Sequence, residues 1–413
     1  MTDNIEKDNN YEKILNDEIS DSELESLECP TFREQEDEWN KITKSLNVDL
    51  INKILEPLNF SLKSYDLFKD SYGVINKIYF LKVIDITVNE EKKLILRINN
   101  PHKFWKHKRS SNEIGIMNYI KNHTSIPVPK IFSYSNDCEN SPLGFEYILM
   151  ECLEGKVLGD VLLPNPRDLD DKIINQMIEY VKILKSIQIN ENKIGCFDTN
   201  MNISNIIQDG PTINPSDTFL DYLNQQISWS IKETKKLKRY EKIANDYELF
   251  QINLNKIVKE NPYLNNLDFD DQKSVFHGDL NSSNILIDPD TLVITGILDW
   301  EFCMYGFDST ELDFFKNWYD SEDNIEIIDE KIKNKSNDFY QSFKRQSGLF
   351  ARKYLHELIQ TGNQFGFYVS SWYHKSENPY LDVRISIDRE ANNFKRLLEK
   401  SDEYLNYLKN YTN

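Results

Sequence analysis

The sequence predicts an α+β protein in two lobes: a small antiparallel β-rich lobe carrying one helix, then a larger, mostly helical lobe. Three observations predict it. Between about residues 60 and 150 the apolar residues recur mostly at strand spacing, with one helical stretch inserted. After Gly155 they recur at helical spacing, as in Ile174, Met177, Ile178, Val181 and Leu184. And at 413 residues the chain exceeds the ~100–200 residues usual for one domain. The expected division is an acidic tail over 1–30, a β-rich lobe over 31–152 and a helical lobe over 153–413.

The elements follow in order. Residues 1–30 are rich in Asp, Glu and Asn with few aromatics, the composition of a disordered tail. A helix is expected near Phe32. A second, from about Asp49 to Glu56, puts Leu50, Ile51, Ile54 and Leu55 on one face and ends at Pro57. Ser61–Phe68 and Lys77–Ile84 read as strands joined through Asp70-Ser71-Tyr72-Gly73, and Leu94–Ile98 as a third, closed by Asn99-Asn100-Pro101. A helix over roughly Ser111–Asn122 is inserted next. Lys130–Tyr134 and Tyr147–Cys152 complete the sheet, and Glu154-Gly155 breaks the pattern. Helical spacing then runs through the 174–184 stretch and on over Phe219–Leu254. A short β interlude, Ser274 to Leu298, precedes helices from about Leu312 to the C-terminus.

Composition excludes several classes. With 39% hydrophobic and 12% aromatic residues the chain can build a sizeable core. Its formal charge of −19 repels nucleic acid and anionic lipid and favours neutral or cationic partners. The five cysteines are scattered, with no C-x-x-C pair, which argues against a disulfide framework or a structural zinc site. The acidic, polar start lacks the basic and apolar regions of a signal peptide, and no apolar run approaches the ~20 residues of a membrane span. A soluble, cytoplasmic protein is expected. The most basic segment, His102 to Arg109, reads as a solvated loop face or a phosphate contact.

The densest chemistry lies in Val275-Phe276-His277-Gly278-Asp279-Leu280-Asn281-Ser282-Ser283-Asn284-Ile285-Leu286-Ile287-Asp288, followed by Gly296-Ile297-Leu298-Asp299-Trp300-Glu301. Asp279 and Asn284 stand five apart in a short polar loop between apolar strands. Asp299 ends another apolar strand, beyond a turn at Asp288-Pro289-Asp290. Phosphoryl transfer needs such parts: a carboxylate to orient the attacking hydroxyl, and oxygen ligands to hold Mg²⁺ against the phosphates.

The order and spacing resemble the protein-kinase pattern H-R-D-x-x-x-x-N followed by an aspartate. Gly278 after the histidine, and Trp-Glu after the last aspartate, are more similar to the aminoglycoside phosphotransferase/choline kinase superfamily, nearest its eukaryotic fungal-type members. The resemblance implies a protein kinase-like bilobal fold that binds ATP and Mg²⁺ between its lobes. It implies Asp279 as the catalytic base, Asn284 and Asp299 as metal ligands, and His277 as a support for the loop.

Upstream segments agree in order. Asn112-Glu113-Ile114 and Gly144 to Glu151 are similar to the small-lobe helix and the hinge strand of that superfamily. By that match the Glu151 carbonyl and the Leu153 amide face the adenine edge, with Met150 lining the pocket behind. Gly73 sits in the phosphate-covering loop, a segment that also reads as a plain hairpin turn. Arg97 stands where protein kinases place a lysine; it implies a contact to the phosphates, to Glu113, or to both. Glu311 or Asp313 would brace the loop. Lys193-Ile194-Gly195 and Trp229 also match fungal-type sequences.

No long activation segment ending in A-P-E follows Asp299, which favours a small-molecule acceptor over a protein. The expected acceptor carries a hydroxyl and is an amine or a sugar. Trp300, Asp308, Trp318, Tyr319 and Asp320 are the side chains available to it. The alternatives are a nucleotide-binding regulator without turnover and an atypical protein kinase.

Overall fold

The computed structural model describes residues 46–68, 76–99, 110–162, 171–207, 212–261, 273–306, 358–359, 361–366, 369 and 383–410. The acidic tail, the helix expected near Phe32, Gly73, the His102–Arg109 run and residues 308–320 lie outside them.

Helix α1 (Val48–Leu55) starts where the Asn47 side chain accepts a hydrogen bond from the Leu50 N–H at 3.0 Å. Eight residues are too few to hold a helix in water, so packing must hold this one. It buries Ile51, Ile54 and Leu55, each contributing about 1.5–3 kcal/mol when fully removed from water. Pro57 falls in the 3₁₀ turn that follows, as its missing N–H requires.

Strands β1 (Phe60–Leu67), β2 (Asn76–Asp85), β3 (Glu90–Asn99), β4 (Ile131–Ser135) and β5 (Tyr147–Glu151) form an antiparallel sheet in the order β1-β2-β3-β5-β4. Alternation along β3 sends Leu94, Leu96 and Ile98 into the core shared with α1. Arg97 points to the other face, where helix α2 (Ser110–His123) packs with Ile114, Ile116, Met117 and Ile120 buried. The expected strands and inserted helix are therefore present, with β3 longer at its N-terminal end than Leu94–Ile98.

The core beneath α2 is continuous with the helical lobe. It joins Ile148 and Met150 to Ile285, Ile287, Ile294 and Ile297, and to Ile174, Met177, Ile178, Val181 and Leu184. Those last five lie on α4 (Asp171–Ser186), which follows strand β6 (Lys156–Val157) and the short helix α3 (Leu158–Leu162). Two-residue strands β7 (Cys196–Phe197), β8 (Ile203–Ser204), β9 (Ile206–Ile207) and β10 (Thr212–Ile213) come next.

The long helical stretch over Phe219–Leu254 is broken. It forms α5 (Phe219–Thr234) and α6 (Glu241–Glu260), separated by a 3₁₀ turn over Lys238–Tyr240. Neither Pro nor Gly marks the break. It buries Leu237 and Tyr240, the latter edge-on to Phe365 with centroids 5.0 Å apart, in a second core. Helices α7 (Val383–Leu398) and α8 (Ser401–Lys409) contribute Phe394, Leu398, Tyr404 and Leu405 to that core. Among the described residues no helix is long and apolar enough to cross a membrane.

Candidate active site

Three short strands frame the polar loop: β11 (Ser274–Phe276), β12 (Ile285–Asp288) and β13 (Val293–Ile297). β12 and β13 pair antiparallel, and Asp288 closes their turn by accepting the Asp290 and Thr291 N–H groups at 2.9 and 3.0 Å. Between β11 and β12 the chain turns at Gly278, whose φ of 84° favours glycine. A Cβ there would also collide with the Phe302 carbonyl. Glycine is thus required where the loop passes the segment after Asp299.

The loop is held from inside. Asn281 and Asn284 each donate a side-chain N–H to the Asp279 carboxylate, to opposite oxygens and both at 3.0 Å. Asn284 Nδ2 also reaches the Asp279 carbonyl at 2.9 Å, which leaves its Oδ1 as the acceptor of that amide. The Asn284 carbonyl accepts the Leu298 N–H at 2.8 Å, so Asn284 is tied to the residue before Asp299. All three residues singled out by spacing are therefore brought together.

His277, fully buried, links the same two stretches. Its Nε2 donates to the Leu298 carbonyl at 2.9 Å, and its Nδ1 accepts the Asp279 N–H at 3.2 Å. That pairing needs one protonated and one bare nitrogen, hence a neutral ring. Burial pushes the imidazole down to about 4, against the pull of the Leu298 hydrogen bond. The unfolded chain takes up this proton near ~6.5 while the fold refuses it, so stability declines as pH falls from about 6.5 towards 4. The shift corresponds to about 3 kcal/mol. Denaturant titrations of the protein and of His277→Asn should give a stability difference that grows as pH rises through that window. A difference flat with pH would refute the neutral ring.

The wild-type curve alone does not isolate this effect, because Glu113 contributes with opposite sign. Burial pushes its carboxyl up to about 7; Arg97 pulls it down, and Asp299 and Glu301 push it further up. Between its unfolded value and about 7 the fold holds the extra proton, so this group's contribution falls as pH rises.

Arg97 and Glu113 form a bidentate pair: Nη1 donates to Oε1 at 2.9 Å and Nη2 to Oε2. Both side chains are buried, at 8% and 2% exposure. Burial works against the Arg97 charge, but Glu113, Glu301 and Asp299 outweigh it and hold the guanidinium above its ordinary value. One guanidinium thus faces three carboxylates. The four groups sum to negative charge, an arrangement that suits a hard divalent cation bound through oxygen.

The expected hinge, Met150 to Leu153, begins on β5, which lies between β3 and β4 in the sheet. Met150 faces Ile95 across β3 and β5 and joins the core beneath α2. The Glu151 N–H donates to the Lys130 carbonyl at 2.8 Å, and its carboxylate accepts from Lys121 Nζ and the Lys130 N–H, both at 3.1 Å. Cys152 still donates to Lys93 at 3.3 Å, after which the chain leaves the sheet. Leu153 packs near Gly296 on β13, where an added Cβ would meet its Cδ1 at 2.7 Å.

One expectation is corrected. Trp300 is not available to an acceptor: it is fully buried, lies 4.5 Å from the His277 ring and donates its Nε1–H to the Ile297 carbonyl at 3.0 Å. Asp308, Trp318, Tyr319, Asp320, Glu311 and Asp313 fall outside the described residues. Sequence reasoning also passed over Asn112, quoted only as part of a motif. It is buried and bonds three backbone groups at 2.6–3.0 Å. No local signal marked it, because its partners lie 85 to 191 residues further along the chain.

A small antiparallel sheet with one inserted helix, continued by a helical lobe that carries the polar loop, is the protein kinase-like architecture. The model of the phosphotransferase enzyme family matches residues 73–333, more than half of the chain, and the chain belongs to that family.

A subtelomeric hrmA-associated cluster protein of Aspergillus fumigatus is 32% identical over 114 residues, 28% of this chain and 21% of that protein. Clavilactone A biosynthesis cluster protein Y of Ampulloclitocybe clavipes is 23% identical, over 53% of this chain and 57% of that one. The chain thus spans between about a fifth and about three-fifths of the length of these curated relatives. Among solved structures, a thermostable mutant of aminoglycoside phosphotransferase APH(4)-Ia, in ternary complex with ADP and hygromycin B, matches with TM-score 0.46 at 14% identity. The match covers 83% of this chain and 97% of that one.

Proposed function

We propose that the protein transfers the γ-phosphoryl group of ATP to a hydroxyl of a small molecule. ATP would lie between the β-rich lobe, 31–152, and the helical lobe, 153–413. The observation that carries this reading is the coupling of Asp279, Asn284 and Asp299 through Asn284 and His277.

Asp279, oriented by two amides, accepts the acceptor's proton as the hydroxyl oxygen bonds to the γ-phosphorus. The bond from that phosphorus to the bridging oxygen breaks, and ADP leaves. Asn284, through Oδ1, and Asp299 would hold Mg²⁺, which supplies charge neutralisation at the phosphate oxygens. Among the described residues no group of three or more His, Cys, Asp or Glu could hold a metal by itself. A set of two protein oxygens suits an ion that keeps waters and phosphate oxygens as its other ligands. Arg97, set by Glu113, supplies positive charge at the phosphates. Glu151 and Leu153 offer the adenine edge a carbonyl and an amide, with Met150 behind it and Gly73 over the phosphates.

The net charge of −19 favours a neutral or cationic acceptor, an amine or a sugar. ATP consumption with Mg²⁺ should rise with one class in a panel of amines, sugars, amino alcohols and aminoglycosides, and vanish without the metal. ATP bound but never consumed would instead favour a nucleotide-binding regulator. That second reading rests on Arg97 standing where protein kinases place a lysine, and on a phosphate-covering loop with the single glycine Gly73. Nuclear localisation or secretion of the native protein would count against its expected cytoplasmic role.

A further inference from the structure

We propose that Asn112 is a positioning residue for the Asp299 carboxylate, an inference that rests on the phosphotransferase reading and deepens it. Asn112 lies on α2, next to Glu113, and is only 6% exposed. Its Nδ2 donates to the Glu301 carbonyl at 3.0 Å and to the Cys303 carbonyl at 2.6 Å. Its Oδ1 accepts the Phe197 N–H at 2.8 Å. The amide's orientation follows from its partners, because a flip would set oxygen against two carbonyls and NH₂ against an N–H.

These bonds converge on a strained point. Asp299 has φ 62°, a left-handed conformation that a non-glycine residue keeps only when its surroundings hold it. His277 holds the backbone on one side, at Leu298. Asn112 holds it on the other, at Glu301 and Cys303. The same helix fixes Glu113 and so Arg97, which means that one rigid element sets the guanidinium and the Asp299 segment together. One turn further along α2, Gly115 permits the contact: a Cβ there would collide with the Asp198 carbonyl. Helix α2 therefore sits directly against the stretch that includes Phe197, and Asn112 closes the join with hydrogen bonds.

A residue that only stabilised the fold would change melting without changing metal-dependent binding. Calorimetric titration with the β,γ-imido analogue of ATP, with Mg²⁺ and with the metal chelated, separates the two. Asn112→Leu removes all three bonds; Asn112→Asp keeps the acceptor for Phe197 and loses the donors. Each variant is expected to weaken binding of the magnesium complex about tenfold or more and to leave metal-free binding unchanged. Amide exchange over 298–306 should accelerate in both. Magnesium-dependent affinity equal to wild type in a variant that melts cooperatively would overturn the proposal, as would equal losses with and without metal. If Asn112→Leu does not fold, Asn112→Asp and its exchange profile decide the matter. A wild-type protein that binds no magnesium nucleotide would overturn the phosphotransferase reading itself, a result distinct from either of these.

Discussion

Asp279→Asn should lower acceptor-dependent turnover by ~10²–10⁴-fold, the usual contribution of a positioned proton acceptor, while nucleotide binding persists. The substitution keeps the side chain's shape and removes its ability to take a proton. It also disturbs the loop, because Asn281 and Asn284 both donate to the carboxylate and an amide offers one accepting oxygen only. The mismatch costs about 1–3 kcal/mol of stability, so thermal midpoint and analogue affinity must be measured beside turnover. Transfer surviving in a folded, nucleotide-binding variant would remove Asp279 from the role of base. Loss of nucleotide binding would show that the loop, rather than the proton acceptor, had been broken.

Arg97→Met should destabilise the protein by about 3–5 kcal/mol, because it strands a buried carboxylate. Glu113 is 2% exposed and already shares its surroundings with Asp299 and Glu301. Protonation relieves part of the strain, so the loss should be larger above pH 7 than well below it. Adding Glu113→Leu should restore much of the stability, since a buried ion pair and a well-packed apolar pair are often near equal. On the proposed function it should not restore affinity for nucleotide, because the cation is still missing. Denaturant unfolding of the two single variants and the double variant gives the coupling directly. A loss below about 1 kcal/mol for Arg97→Met would mean that the pair is weaker than its geometry indicates.

The sheet was legible because its strands alternate and are closed by turn residues, as at Asn99-Asn100-Pro101. The polar loop was legible because Asp279, Asn284 and Asp299 stand between apolar strands that leave them little else to do. Other features are set by distant partners. Asn112 bonds the backbone at Phe197, Glu301 and Cys303, far along the chain, so its neighbours in sequence carry no sign of the contact. Trp300 looked available beside a polar site, yet its ring fills the core behind His277. The break between α5 and α6 has no proline or glycine to announce it, because burial of Leu237 and Tyr240 imposes it. Gly115 went unread as well, although a glycine inside a helix can mark a close approach, here to Asp198.

The central claim concerns where the terminal phosphoryl group of ATP goes. ATP labelled in that group, incubated with the protein, Mg²⁺ and the acceptor panel, should yield label bound to a small-molecule hydroxyl, detected by mass spectrometry, and none with Asp279→Asn. Label recovered in a protein, or as inorganic phosphate whatever acceptor is present, would contradict the account.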